Sequence, residues 1–394
     1  MSTEGPFEVA IAGGALVGAT LARALRGARV ALIAQEQRSP QRATHGFDAR
    51  VYAISPGNAA FLGKTGAWNA IPESRKTPVH VMRVYGDDGD SLIEFDAYRT
   101  GCSELAWIVE DRLLQDALWA GLEGQEGLTV FSASSLSGLE LSPSHAAVAL
   151  EDGRRFDARL VVGADGARSR VRAQAGIAVR ERGYGQRAVV ANFACGRPHR
   201  NVAFQWFQGE ARGGAVLALL PLPGDHVSMV WSATDDEAAR ILALSPAALA
   251  REVALASRDS LGDMELVTPQ RGLALQRLVA DCLIAPRVAL AGDAAHVIHP
   301  LAGQGANLGL QDARALAEVL MQREPGRDPG DERLLRRYER ARAEDILAMR
   351  STVHGLFRLF GADGPGIARL RNAGLNLANR IPVLKNLLMR HAMG

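Results

Sequence analysis

The sequence predicts an α/β protein in which a parallel-sheet domain, assembled from separated stretches of chain, carries an antiparallel-sheet lobe and ends in C-terminal helices. Three observations predict it. The chain opens with strand, turn, helix and strand, and Gly13-Gly14-Ala15-Leu16-Val17-Gly18 forms the turn. Short alternating runs at hairpin spacing, rich in aromatics, crowd residues 184–232. A second strand, glycine-rich turn and helix follow at Arg287 to Leu320, so the first domain is re-entered after the lobe. The expected division is 1–75, 100–182 and 273–394 for the parallel-sheet domain with its helices, and 76–99 and 183–272 for the lobe.

Composition bounds the function. With 394 residues the chain can bury a large core, and 47% hydrophobic against 22% charged residues is ordinary for a globular protein. A net charge of +2 gives no reason to expect a nucleic-acid partner. Nearly all cations are arginine, the lysines being Lys64, Lys76 and Lys385, which reads as compositional bias. Cys102, Cys195 and Cys282 are far apart and lack metal-ligand spacing, so no metal is expected and a reducing cytosol is. No leader-like stretch precedes the first strand, and no apolar run reaches the roughly 18 residues of a membrane span. The expectation is a cytoplasmic protein, at most peripheral on the inner face of the membrane.

Taken in order, Phe7 to Ala12 is the first strand, a small-residue helix runs to about Leu25, and Val30 to Ala34 is the second strand. A glycine turn between strand and helix seats a dinucleotide pyrophosphate on the helix N-terminus. Two positions depart from that pattern. Ala15 stands where a second glycine would let backbone approach phosphate, which is tolerable at negative φ. Ala34 stands where a ribose-binding acid is expected, and Glu36, on the same side two residues on, is the candidate acid, with a plain surface glutamate as the alternative.

Arg50, set among apolar residues in Phe47 to Ser55, is either paired to a core carboxylate or aimed at a phosphate or ring. A short helix follows around Ala59 to Thr65, then a hairpin of Val79 to Tyr85 and Ser91 to Phe95. Ile108 to Arg112 opens a helix with Leu113, Ala117 and Leu118 on one face; Arg112 and Gln115 lie on another that reads as solvated. A hairpin about Asp152-Gly153 leads to a buried strand, Leu160 to Val162, ending in Gly163-Ala164-Asp165-Gly166. The lobe strands are Ala188 to Ala194, Val202 to Phe207, Ala215 to Leu220 and Val227 to Trp231, followed by a helix from Ser245 to Ala256.

In the second strand-turn-helix, Val288 to Ala291 meets Gly292-Asp293. The turn contains Pro300, Gly303, Gln304 and Gly305, small enough to approach a flat ligand. A helix from Ala306, with Leu310, Ala313, Ala317 and Leu320 on its buried face, offers unpaired N–H groups there. Arg323 to Asp331 is a surface loop. The final segment, Val383 to Arg390, suits a membrane surface, the core or a partner subunit equally.

These motifs, from the N-terminal glycines through DARVYAIS, VEDR, GADGARSRVR and GDAAH to HPLAGQGANLG with Asp312 beyond it, resemble the FAD-dependent aromatic hydroxylases of the para-hydroxybenzoate hydroxylase class. Within it they look like the UbiH-type hydroxylases of ubiquinone biosynthesis. The resemblance covers almost the whole chain and implies a Rossmann-like FAD-binding domain with a substrate lobe.

It further implies Gly13, Gly14 and Gly18, with Ala15 among them, at the FAD pyrophosphate, and Arg50, Arg112 and Gln115 along the cofactor's central portion. Asp165 with Gly166 matches a motif associated with both FAD and the pyridine nucleotide. Gly292-Asp293 matches the ribityl contact, and Pro300, Gly303, Gln304, Gly305, Ala306 and Asn307 would border the isoalloxazine. The implied reaction uses NAD(P)H, bound transiently, and O2 to hydroxylate an electron-rich ring.

His296 and His299 are each either a general base for a ring hydroxyl or a loop histidine satisfied by backbone groups, so no catalytic base is assigned. Three functions follow from the resemblance: hydroxylation of a prenylated phenol or quinone precursor, hydroxylation of a soluble phenol or secondary metabolite, or a non-catalytic subunit of a quinone-biosynthesis assembly with a decayed FAD site.

Overall fold

The structure is a computed structural model and describes residues 6–36, 46–88, 91–209, 214–298 and 304–360. The apolar run Phe7–Ala12 is buried along nearly its whole length, as a central strand of a covered parallel sheet must be. It pairs in parallel with Val30–Ile33 on one side and Arg155–Gly163 on the other. Leu128–Phe131 and Val288–Leu290 extend the sheet outward on those two sides, again in parallel. Ala146–Leu150, Leu136–Leu141 and Ile284–Ala285 add antiparallel edges.

Strand order therefore reverses between Phe7–Ala12 and Arg155–Gly163. In open α/β sheets, ligands bind in the crevice at such a reversal, beyond the carboxyl ends of the strands. Helices Leu16–Ala24 and Gly305–Met321 pack on each other, and Glu332–Phe360 packs on the second of them.

The second sheet is that of the lobe. Its strands run in the order His296–Val297, Arg271–Ala280, Val179–Cys195, His226–Thr234, Val216–Leu222, Val202–Phe207, Val81–Tyr85 and Leu92–Asp96. Alternation divides its two faces. Val189, Ala191, Phe193, Met229 and Trp231 form a core beneath helices Asp235–Leu242 and Pro246–Ala256. On the other face Ala203 and Leu222 pack with Val79, Ile108, Phe47 and Val51 of the first domain. Val51–Ile54, Ala106–Glu110 and Thr77–Val79 form a small antiparallel sheet between the two.

Five sequence expectations are corrected or extended by this arrangement. Ile108 to Glu110 is the end of a strand rather than the start of a helix; paired with Val51 to Ala53, and at Ile108 with Thr77 as well, these residues stay extended until Asp111–Ala120 begins the helix. The expected strand Val79 to Tyr85 breaks at His80, whose N–H bonds Asn201 O (2.9 Å) and whose O accepts from Ala97 N–H (2.9 Å), so its halves enter different sheets. Leu160 to Val162 is the buried end of a longer strand, Arg155–Gly163. Val179–Cys195 and Arg271–Ala280 each cross a boundary drawn at 182/183 or 272/273, pairing through an irregularity between Gly183 and Gln186. The Arg323 to Asp331 loop is pinned: Arg287, 7% exposed, bonds Pro143 O (2.9 Å), Arg159 O (2.9 Å) and Asp328 (2.7 Å).

Candidate cofactor site

The parallel register brings the turn after Phe7–Ala12 against the turn after Arg155–Gly163. Gly13 has φ +112°, and a Cβ on it would lie 2.1 Å from Ala164 O. A Cβ on Gly14 would meet Ala34 Cβ at 2.6 Å and the Trp119 ring at 2.8 Å; one on Gly18 would meet Gly13 O at 1.9 Å. All three glycines are thus required by chain packing, before any ligand is considered. Trp119 Nε1 also donates to Gly14 O (2.8 Å).

Ala15, at φ −80° and ψ −169°, is extended backbone that any L residue adopts, and it is exposed. It precedes a helix with no side-chain cap and no acid in its first turn, which leaves that N-terminus open to an anion. Ala34 is buried with its Cβ against Gly14, and Glu36 is exposed beyond the strand end.

Asp48 organises the next segment. Its N–H donates to Glu110 Oε1 (2.7 Å), its carboxylate accepts from Arg50 N–H (3.0 Å) and Arg112 N–H (3.2 Å), and its carbonyl accepts from Asn192 Nδ2 (2.8 Å) of the lobe. Glu110, 1% exposed, is in turn held by Arg75 Nε (2.9 Å). The Arg50 side chain is exposed, with its guanidinium 5.3 Å over the Tyr52 ring and 4.0 Å from Asp111. Desolvation works against its charge, but Tyr52, Asp111, Asp293 and Asp48 outweigh it and raise the pKa. Burial pushes the Tyr52 phenol above its ordinary range.

Gln115, on the helix face expected to be solvated, is 5% exposed. Its Nε2 donates to Asp111, and its buried Oε1 has no hydrogen-bond partner among the described residues.

Asp165 folds back to cap the short helix Arg170–Gln174, its Oδ2 accepting from Arg170 N–H (2.7 Å) and Val171 N–H (3.2 Å). Its Oδ1 is buried without a partner among the described residues. Gly166 turns with φ +81° in open space. Arg172, 7% exposed, joins this loop to the next by bonding Ala167 O (2.7 Å) and Ala294 O (2.8 Å).

Gly292 has φ +62°, and Val17 lies 2.9 Å from where its Cβ would be; Val17 is equally close, 2.7 Å, to the Cβ position of Gly309. The first helix, the Gly292-Asp293 turn and the helix Gly305–Met321 thus converge on one valine. Asp293 is exposed, yet its carboxyl has protein packed around it. The resulting desolvation raises its carboxyl pKa, against the pull of His296 and Arg50.

Gln304 precedes the helix without capping it by its side chain, and Gly305 and Ala306 are half-buried. Asn307 is turned inward, 1% exposed. Its Nδ2 donates to Ala53 O (2.8 Å), and its Oδ1 accepts from Ser55 N–H (2.9 Å) and Asn58 Nδ2 (3.0 Å). His299, Pro300 and Gly303 lie outside the described residues, as does the segment Val383 to Arg390.

His296 is 3% exposed and satisfied by a side chain rather than by backbone: its Nε2 lies 2.6 Å from Asp312 Oδ2. Asp312, fully buried, also pairs with Arg342 (2.8 Å). Sequence reasoning missed Asp48, Arg172 and Arg342 as organisers. The one available signal was Arg342 itself, a charge interrupting the apolar stripe Leu334, Leu335, Tyr338 and Ile346.

Three known proteins are similar over nearly the whole chain. Ubiquinone hydroxylase UbiL of Rhodospirillum rubrum is 36% identical over 389 residues, spanning 98% of this chain and 89% of that protein. The 3-demethoxyubiquinol 3-hydroxylase of Escherichia coli is 34% identical over 397 residues, spanning 100% of each. The crystal structure of P. aeruginosa PqsL with 2-aminobenzoylacetate superposes with a TM-score of 0.77 at 25% identity, covering 94% of this chain and 99% of that one. The model of the FAD-binding domain family matches residues 6–350, and with relatives this similar end to end, the chain belongs to that family.

Proposed function

We propose that the protein hydroxylates the aromatic ring of a prenylated ubiquinone precursor, with FAD as its cofactor and NAD(P)H and O2 as co-substrates. The observation that carries the reading is convergence: the turns after Phe7–Ala12, Arg155–Gly163 and Val288–Leu290, at the carboxyl ends of neighbouring parallel strands, bring Gly13, Asp165 and Asp293 to one side of the sheet, and Arg50 lies near enough to Asp293 for each to shift the other's pKa. Names of the relatives, ubiquinone hydroxylase and 3-demethoxyubiquinol 3-hydroxylase, supply the substrate class.

The residues present fit FAD. Buried acceptors without donors are uncommon, and Gln115 Oε1 and Asp165 Oδ1 are two such atoms, suited to the hydroxyl groups of a bound dinucleotide. When bound, FAD supplies the electron and oxygen transfer. The Gly13–Gly18 turn and the helix behind it would hold the pyrophosphate, and Glu36 the ribose. Arg50, Arg112, Gln115 and Asp165 with Gly166 would line the middle of the cofactor, and Asp293 the ribityl chain. The amides of Gly305 and Ala306, which the Gln304 side chain leaves uncapped, suit the negative charge of a reduced isoalloxazine. Asn307 contributes indirectly, by holding that helix end in place.

The lobe supports an apolar substrate. Cross-strand neighbours Val190, Val230 and Ala218 lie in one row of its domain-facing side, next to the row of Asn192, Ser228 and Leu220. Among the described residues no helix is long and apolar enough to cross a membrane. A substrate with a prenyl tail would therefore be met at the bilayer surface, in a peripheral contact on its cytoplasmic side.

Two measurements test the reading. Purified protein that is colourless and takes up no added FAD would leave only the non-catalytic reading standing. Quinone extracts of a deletion strain should contain an under-hydroxylated prenyl phenol, and normal quinone content would point instead to a soluble substrate.

A further inference from the structure

The helix Glu332–Phe360 buries Leu334, Leu335, Tyr338, Arg342 and Ile346 along one stripe, and Arg342 is only 2% exposed. A guanidinium there needs partners, and each of its three nitrogens has one. Its Nε donates to Asp312 Oδ1 (2.8 Å), Nη2 to Gln311 Oε1 (3.1 Å) and Nη1 to Asp345 Oδ2 (2.5 Å).

The other oxygen of Asp312 accepts from Gly292 N–H (2.9 Å) and meets His296 Nε2 (2.6 Å). One turn earlier in the helix, Tyr338 OH donates to Leu290 O (2.7 Å). The last helix therefore grips the chain before the turn that presents Asp293, at Leu290 O directly and at the Gly292 amide through Asp312, and after it at His296, again through Asp312.

Stability alone does not account for this choice of residues. A buried ion cluster is commonly matched or bettered by apolar residues of similar volume, so stability is a weak explanation for this one. Gly292 also sits in a left-handed conformation against Val17, so small changes in its amide partner would redirect the turn.

We propose that Arg342 is a positioning residue of the cofactor site: acting through Asp312 it fixes the Gly292 amide and His296, and with Tyr338 it clamps the turn that carries Asp293. Removing Arg342 leaves Asp312 either as a less compensated buried charge behind the Gly292-Asp293 turn or protonated and a poorer acceptor for the Gly292 amide. Both consequences reach the cofactor without any contact to it.

This inference rests on the reading that the Gly292-Asp293 turn meets FAD, so the wild-type protein is titrated with FAD first; failure to bind would refute that reading before any variant is made. FAD affinity by fluorescence quenching, the visible flavin spectrum and the flavin midpoint potential are then measured, with thermal unfolding in parallel, for Arg342→Met, Arg342→Lys, Asp312→Asn and the double variant Arg342→Met/Asp312→Asn. Arg342→Met is expected to weaken FAD binding about tenfold, shift the spectrum and make the potential more negative. Arg342→Lys keeps the charge but loses the fork and should be intermediate, roughly threefold weaker. In the Asp312→Asn background the Arg342→Met change should add little, because the two act as a unit.

Wild-type affinity, spectrum and potential in Arg342→Met, whatever its melting temperature, would overturn the proposal, as would additive effects in the double variant. Should Arg342→Met fail to fold, Arg342→Lys decides: wild-type flavin properties there overturn it equally.

Discussion

Asn307 offers a sharp separation between a ligand-binding and a clamping role. The resemblance places it beside the isoalloxazine, yet its side chain is spent on protein: Ser55 N–H, Asn58 Nδ2 and Ala53 O, all within 3.0 Å. In Asn307→Ala, the amide of Ser55, a residue only 1% exposed, loses the partner it has now, and an unsatisfied buried donor costs about 1–3 kcal/mol. Ala53 O adds about 1 kcal/mol, while Asn58 keeps its bond to Asn307 O at 3.1 Å and adds little. The sum, about 2–4 kcal/mol, is a large share of the roughly 5–15 kcal/mol that holds a typical protein folded. Urea unfolding of the FAD-free protein measures it with no ligand term. A loss below about 1 kcal/mol in the apo protein, together with weakened FAD binding, would refute the clamp and return Asn307 to the ligand.

Three further outcomes are expected. Gly13→Ala forces a Cβ to within 2.1 Å of Ala164 O at φ +112°, so the purified variant should lack the yellow flavin absorbance and melt earlier; an unchanged spectrum would contradict the packing argument. Ala15→Gly should leave FAD affinity within about threefold and cost up to about 1 kcal/mol of stability, since Ala15 is already in unstrained extended backbone. FAD binding tightened tenfold would mean the methyl obstructs the cofactor. For pH, His296 and Arg342 outweigh the desolvation of Asp312 and hold its carboxyl below its ordinary value. A depressed folded pKa contributes stability that is present above the unfolded value of about 3.9 and lost as pH falls below it. The unfolding free energy of wild type should therefore drop more steeply below about pH 4 than that of Asp312→Asn, and parallel acid limbs would exclude Asp312 as the cause.

Much of the fold was legible in the sequence because its signals are local. The run Phe7–Ala12, the glycine turn after it and the strand-turn-helix around Gly292-Asp293 each announce their burial and conformation within a dozen residues, and they suffice for the α/β class and for the family. Periodicity failed where the partner, not the segment, sets the conformation. At Ile108 two flanking strands keep the chain extended, and at His80 a change of sheet breaks an otherwise even alternation.

The candidate site divides the same way. Sequence alone determined which glycines and acids stand at the strand ends, because turn chemistry limits those positions to few residue types. Only the tertiary structure decided that Asp48 ties the Arg50 loop to the lobe, that Gln115 is buried with an unpaired oxygen, that Asn307 faces inward, and that Arg342 reaches the Gly292 amide through Asp312. Those contacts join residues 20 to more than 250 positions apart, and nothing in a residue's own neighbourhood records which distant group will complete its hydrogen bonds or balance its charge.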